Sequence, residues 1–358
     1  MNIHITGSLR PFSHLPGSSC IIPMSGWILT AFPCLLLFKH IVSKESIEVK
    51  LSLKGPVESF TLQQDLEKGS VAIFGCAVQG YYRLKASQQG NGLVLNVERT
   101  PKEGVVLIHG EKTYQLHAPL EIILSANQEA HWHKKEEKLS LGVHKSQDWM
   151  MMRKRASLAE ILPHWMRLGQ MIPYQEGSKP KSAVVELLDQ CLQMRIDKRT
   201  SALQSSLKSL FSVGFSSMLV PRLQDDEYQG IVPDCDESTD EGRLNLLLVG
   251  SRLIRSMFFF ESHGIYQLLP CLLPDFHSGR VNNITTSSGD KISFAWSKHK
   301  LREVMVTAAS EAILFHFPND IKRFRLKFHP SDKGAVLDAG AKLLTQRGSC
   351  IFLDRFEK

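Results

Sequence analysis

No C-x-x-C pair occurs anywhere in this chain of 358 residues. Its seven cysteines, Cys20, Cys34, Cys76, Cys191, Cys235, Cys271 and Cys350, are odd in number and widely spaced. That argues against a disulfide framework or a zinc site and fits a reducing compartment. Also missing are G-x-S-x-G, the P-loop, and a G-x-G-x-x-G run opening a helix, so nucleotide chemistry has no motif behind it. No internal repeat or low-complexity tract is present, and no cofactor is implied. Charge of one sign is scarce: 43 Lys and Arg against 36 Asp and Glu leave +7. The densest basic run is Arg153, Lys154 and Arg155. Elsewhere the signs mix, as in Lys134, Lys135, Glu136, Glu137 and Lys138. Nucleic-acid binding needs basic residues gathered on one face with stacking aromatics, so no nucleic-acid partner is expected.

Hydrophobic residues make up 43% and charged residues 22%, enough apolar surface for a sizeable core. The stretch from Pro11 to Phe38 holds no Lys, Arg, Asp or Glu. Residues 16–38 resemble a signal or anchor segment, although Pro23 and Pro33 interrupt them. Met24 is an internal candidate start, which would make the upstream residues foreign to the protein. A buried element is the third reading. All three put residues 1–44 outside the folded domains. The chain is then cytoplasmic, or exported or membrane-anchored if 16–38 is a true signal or anchor.

Period-two alternation starts at Ile47, Val49 and Leu51, the mark of a half-buried strand. Further short runs follow at 57–62, 71–74, 81–84, 93–97, 105–108, 113–116 and 120–124, separated by glycine-rich turns. This spacing predicts an antiparallel β-sandwich over 45–145. Helical period takes over at 157–169, 183–196, 203–219 and 241–259, and predicts a small helical domain over 146–262. Ser238 and Glu241 have capping-box spacing ahead of the last helix, which is apolar on most sides. Strand patterns return over 265–269, 280–284, 291–296, 304–307, 312–317, 321–328 and 349–356, while 335–347 is ambiguous. They predict a C-terminal antiparallel β-domain over 263–358. The fold class is α+β. Ile292, Phe294 and Trp296 should face the core of this last domain, with Lys291 and Ser293 outward.

Three clusters carry chemistry of interest. Asp225, Asp226, Glu227, Asp234, Asp236, Glu237, Asp240 and Glu241 are the one dense acidic segment. Glycoside hydrolysis needs two carboxyls across the scissile bond, and Asp225, Asp234, Asp236 and Glu237 are the candidates for that role. The same loop also reads as a solvated helix entry favoured by the helix dipole. His131 and His133 would share a strand face, but no third ligand is near, so no metal is expected. His144, Asp148 and Trp149 sit at the β-to-helix junction. An exposed ring beside Asp and His can stack on a pyranose and bind its hydroxyls, which makes these three the candidate sugar-binding residues.

The stretch 250–328 contains Glu261-Ser262-His263-Gly264-Ile265-Tyr266-Gln267-Leu268-Leu269-Pro270, then Pro274, Ser278-Gly279-Arg280-Val281, and Ile292-Ser293-Phe294-Ala295-Trp296. This order resembles the end of the helical barrel and the following β-domain of family-95 glycoside hydrolases, the α-L-fucosidase group. There a final barrel helix leads through a segment of the type G-x-I-x-L-L-P-A-L-P into strands of the types G-x-V-x-G-L and F-x-V-x-I-x-W. The resemblance implies a carbohydrate-related ancestry. It covers under a quarter of the chain, and its motif is structural. A complete barrel needs twelve helices, roughly 300 residues, whereas about 110 separate the two β regions here. The family's catalytic acid and its supporting Asp and Asn lie in the missing part, so none is assigned. Two expectations stand: a glycoside-hydrolase-related protein with a reduced helical domain, or a non-catalytic carbohydrate-binding or scaffold protein. A carbohydrate is the expected ligand, and a membrane is a partner only if 16–38 anchors the chain. Oligomeric state is open.

Overall fold

The computed structural model describes residues 3–90, 92–126, 136–173, 182–224, 242–318 and 320–358. In chain order the first part comprises β1 (Phe12–Ser13), β2 (Ser18–Ile21), β3 (Trp27–Phe32), β4 (Leu35–His40), β5 (Ser46–Ser52) and β6 (Glu58–Asp65). It continues with β7 (Ser70–Ala77), β8 (Gly80–Gln89), β9 (Gly92–Arg99), β10 (Val105–His109), β11 (Lys112–Leu116) and β12 (Leu120–Ser125). They form two six-stranded antiparallel sheets, ordered β1-β6-β7-β8-β9-β12 and β11-β10-β5-β4-β3-β2. Leu62, Ile73, Leu84 and Leu95 of the first sheet share one apolar core with Leu29, Leu36, Phe38 and Val49 of the second.

Of residues 1–44, expected outside the folded domains, the stretch from Phe12 to His40 is part of this sandwich. It supplies β1 to β4, and Ile21, Trp27, Leu29 and Phe38 are fully buried. The run lacks charge because the alternate residues of β3 (Ile28, Thr30 and Phe32) are half-buried rather than wet. A strand covered on both faces reads as a continuous apolar run, as a membrane segment does. Pro23 and Pro33, the apparent interruptions, fall in the turns on either side of β3. The free edge of β2 is taken by the helical part: Met218 N donates to Ser19 O (3.1 Å) and Ser19 N to Ser217 Oγ (2.8 Å). Among the described residues, no helix is long and apolar enough to cross a membrane.

Next come β13 (Lys138–Ser140), α1 (Trp149–Arg155), α2 (Leu158–Gly169), α3 (Ala183–Ile196), α4 (Thr200–Gly214), the small hairpin of β14 (Phe215–Ser216) and β15 (Val220–Pro221), and α5 (Arg243–Phe258). The predicted helices are all present, but 203–219 ends early. Phe215 is extended and turns into the hairpin. The capping-box residues Ser238 and Glu241 lie outside the described residues; the residue entering α5 is Gly242, at φ 84°. α2 and α5 approach closely, and Ser251 Oγ donates to Met166 O (2.8 Å).

α5 runs directly into β16 (Phe259–Ser262) and β17 (Ile265–Leu268). β18 (Ser278–Thr285), β19 (Lys291–Ser297), β20 (Lys300–Thr307), β21 (Ala312–His316), β22 (Arg323–Lys327), β23 (Ala335–Asp338), β24 (Lys342–Leu344) and β25 (Cys350–Glu357) complete the chain. A seven-stranded antiparallel sheet, β13-β18-β19-β20-β25-β22-β23, lies beside a four-stranded one, β16-β17-β21-β24. β17 and β21 pair in parallel. β13 precedes the helices in sequence but pairs with β18, so the predicted boundary at 145 cuts through the C-terminal sheet. Ile292, Phe294 and Trp296 are buried as predicted and Lys291 is exposed. Ser293 is buried instead of outward. It accepts a hydrogen bond from Asn283 N (3.0 Å), at the bulge between Val281 and Ile284. The second face of this sheet is also partly covered by the N-terminal strap, where Arg280 and Asn282 donate to the carbonyls of His4 and Ile3.

Candidate functional site

A cleft of about 1050 Å³ opens where α3 and α5 end against β16 and the β18–β19 turn. α5 is apolar along most of its length, yet Arg252 and Arg255 break its C-terminal half three residues apart, which puts them on one side of the helix. Both line the cleft, with Arg195 of α3, Phe260 and Glu261 of β16, His263, Thr286 and Ser287.

Three of the charged groups, Arg255, Glu261 and Arg195, are positioned by specific partners. Arg255 Nε meets Glu137 Oε2 at 2.9 Å, and its Nη2 donates to Thr285 O (2.9 Å). Glu137 is fully buried and also accepts from Gln170 Nε2 (3.2 Å) and Thr285 N (3.2 Å). This pair therefore joins the linker, α2, α5 and β18. Glu261 accepts from Ser287 N (2.9 Å) and from the Ser287 hydroxyl, which holds the β18–β19 turn against β16. Arg195 donates through Nε (3.2 Å) and Nη2 (2.7 Å) to Ser256 O, a last-turn carbonyl of α5. Its guanidinium lies over the Phe260 ring, 4.4 Å from the centroid. Burial lowers the Arg195 pKa from its ordinary value, with Cys271 opposing. Phe260 remains 36% exposed, unlike its neighbours Phe258 and Phe259, which are buried.

A second cleft of about 560 Å³ lies between the N-terminal strap and the seven-stranded sheet, lined by His4, His144, Arg280, Arg302 and Glu303 among others. A small cavity of about 50 Å³ sits under the same strap, beside Glu160 and His164. Among the described residues, each of these three sites is lined by a single carboxylate: Glu261, Glu303 or Glu160. A shallow groove on the sandwich carries two, Glu98 and Glu121. Both are exposed on an open strand face and Glu98 is ion-paired to Arg83 (2.8 Å), so that groove does not enclose a bond between them.

The sequence-predicted sugar residues do not share one surface. His144 lines the second cleft. Asp148 caps α1, accepting from Met151 N (3.2 Å). Trp149 is 2% exposed and packs edge-on to Phe211 (6.0 Å), so it is core and not a stacking platform. A ring at a β-to-helix junction reads the same in sequence whether the helices bury it or not. Asp225, Asp234, Asp236 and Glu237, like His131 and His133, lie outside the described residues. No cluster of three metal-ligating side chains occurs among the described residues. Sequence reasoning missed Arg195, Arg252, Arg255 and Phe260. The two α5 arginines had a usable signal, being charges inside an otherwise apolar helix.

No protein-family model matches this sequence, and no curated protein matches it. What the site does has to be argued from its chemistry.

Proposed function

We propose that the chain is a glycoside-hydrolase-related protein that binds a carbohydrate in the α3–α5–β16 cleft, without a carboxylate pair of its own at that site. The observation that carries this reading is the combination at the cleft wall of a partly exposed ring, Phe260, with fork-shaped donors and hydroxyls. Sugars are bound this way, with the C–H face of a pyranose against an aromatic face and its hydroxyls on planar polar groups. The cleft is also built largely from the stretch that resembles family-95 glycoside hydrolases. α5 leads into Phe259–Ser262 and Ile265–Leu268, the order that the resemblance implies for a last barrel helix and the strands after it. Among the described residues a single carboxylate, Glu261, lines the cleft, and its hold on Ser287 favours binding over hydrolysis.

The test is titration calorimetry of the whole chain against a panel of oligosaccharides, repeated with Phe260→Ala. Binding should weaken at least tenfold in the variant, because stacking rings carry a large share of such contacts. Its melting temperature should stay within a few degrees of the parent's, since Phe260 is not a core residue. Unchanged affinity would move the site elsewhere, and no binding to any oligosaccharide would sink the reading.

A further inference from the structure

The cations at the cleft differ in what balances them. Arg255 has the Glu137 carboxylate. Among the described residues the hydrogen-bond acceptor that Arg195 meets is neutral, the Ser256 carbonyl; the Phe260 ring lies against its face and the Cys271 thiol is close enough to act on its charge. A guanidinium has five N–H donors arranged in a rigid fork. The side-on pair, Nε and one Nη2 hydrogen, is spent on Ser256 O. The end-on pair, one hydrogen each from Nη1 and Nη2, meets no acceptor among the described residues. That edge matches the two oxygens of a carboxylate or sulfate.

Glu261, the carboxylate lining the cleft, has its oxygens occupied by Ser287 N and the Ser287 hydroxyl. The α5 C-terminus carries about half a negative charge, which offsets part of the Arg195 charge. What remains is a small positive excess on a group whose plane is already set by a carbonyl and a ring. A group held in its bound orientation loses little freedom on binding. A neutral sugar would leave the end-on edge of Arg195 to water, whereas an acidic one would complete it.

We propose that the ligand of this cleft is an acidic saccharide, with its carboxylate or sulfate group on the end-on edge of Arg195 and its ring against Phe260. This rests on the carbohydrate reading above and adds the charge.

The experiment measures affinity by calorimetry for a neutral galactose oligomer, the corresponding galacturonate oligomer, a sulfated galactose oligomer, and sodium sulfate and acetate alone. Parent protein, Arg195→Gln, Arg195→Lys and Phe260→Ala are compared, each after its melting temperature is recorded. The acidic oligomers should bind the parent at least tenfold more tightly than the neutral one. Arg195→Gln should bring that ratio close to one, because it weakens the acidic oligomers far more than the neutral one. Arg195→Lys keeps the charge but loses the fork, so its ratio should fall between; it also carries the test if the Gln variant unfolds. Phe260→Ala should weaken every oligomer, neutral and acidic, and lower the ratio less than Arg195→Gln does, since the Ser256 carbonyl still orients the guanidinium. Whichever acidic oligomer gives the higher ratio identifies the anion.

Equal binding of neutral and acidic oligomers by the parent would overturn the charge inference while leaving carbohydrate binding in place. A ratio that survives Arg195→Gln would overturn the assignment to Arg195. Sulfate or acetate alone binding as tightly as the oligomers would replace the saccharide with a bare anion site. Failure of every oligomer to bind would remove both readings together.

Discussion

At the residue scale the clearest case is Trp296. Its ring stacks near Phe258 (centroids 5.4 Å), touches Phe294 (6.2 Å) and donates its indole N–H to Phe276 O (2.9 Å). Gly279 on the neighbouring strand has no room for a side chain, because a Cβ there would sit 2.3 Å from Trp296 Cζ2. Trp296→Ala should therefore destabilise by about 3–5 kcal/mol, from lost transfer energy plus an unfilled cavity. Thermal unfolding measures it, and a variant melting with the parent would refute both burial and strand register. Period-two alternation made this residue legible. Trp149 was not, since a ring with polar neighbours in sequence looks the same whether helices cover it or leave it wet.

At the element scale, α2 and α5 meet through small residues. An added Cβ on Gly250 would lie 2.3 Å from Trp165 Cζ2, and one on Gly169 would lie 2.3 Å from Leu247 O. Two effects oppose each other in Gly250→Ala. Helix propensity favours Ala by about 1 kcal/mol. Overpacking a closed core costs about 1–3 kcal/mol, and here the fully buried Trp165 indole would have to move. Because the clash is with a fully buried ring, packing should win, with a net loss of up to about 2 kcal/mol in denaturant unfolding. A more stable variant would mean that the two helices can separate without penalty. The helices themselves were readable from their period; that these glycines sit at a crossing was not, because a glycine in a helical pattern shows no partner.

For the whole molecule, buried ionisable groups set the response to acid. His164 is buried and donates from Nδ1 to Glu160 O (2.8 Å); burial pushes its pKa down to about 4, against the pull of Glu160. The folded chain thus takes up this proton at lower pH than the unfolded chain, whose histidine titrates near 6.5. Its contribution is complete above about pH 6.5 and is lost as pH falls towards 4, a change on the order of 3 kcal/mol. Asp290 acts lower. Burial alone would raise it, but donors from Tyr266 Oη (2.7 Å), Ala309 N (2.5 Å) and Ser310 N (2.8 Å) hold its pKa below the ordinary value. Asp354 is lowered in the same direction, first by its hydrogen bonds to Arg325. A depressed carboxyl stabilises above the unfolded value of about 3.9 and loses that contribution as pH drops through its folded value. Melting temperature should therefore fall in two stages, from pH 6.5 to 4 and again below 4. His164→Gln should flatten the first stage alone. A parent curve level between 6.5 and 4, or a first stage unchanged in the variant, would contradict this assignment.

Local pattern alone was enough for the order of strands, helices and strands, for α3 over Ala183–Ile196, and for the buried face of β19. Those follow from the periods 2 and 3.6, which depend on near neighbours in the chain. Tertiary structure decided the rest. The N-terminal apolar run became β2 to β4 because a second layer covers it. Lys138–Ser140 joined a sheet whose other strands begin more than a hundred residues later, because β18 offered an open edge. The cleft arose because Arg195, Arg252, Arg255 and Phe260, each unremarkable alone, come together where α3 and α5 end and β16 begins. Long-range pairing and coverage depend on which surfaces meet in space, and residue spacing along the chain carries no record of that.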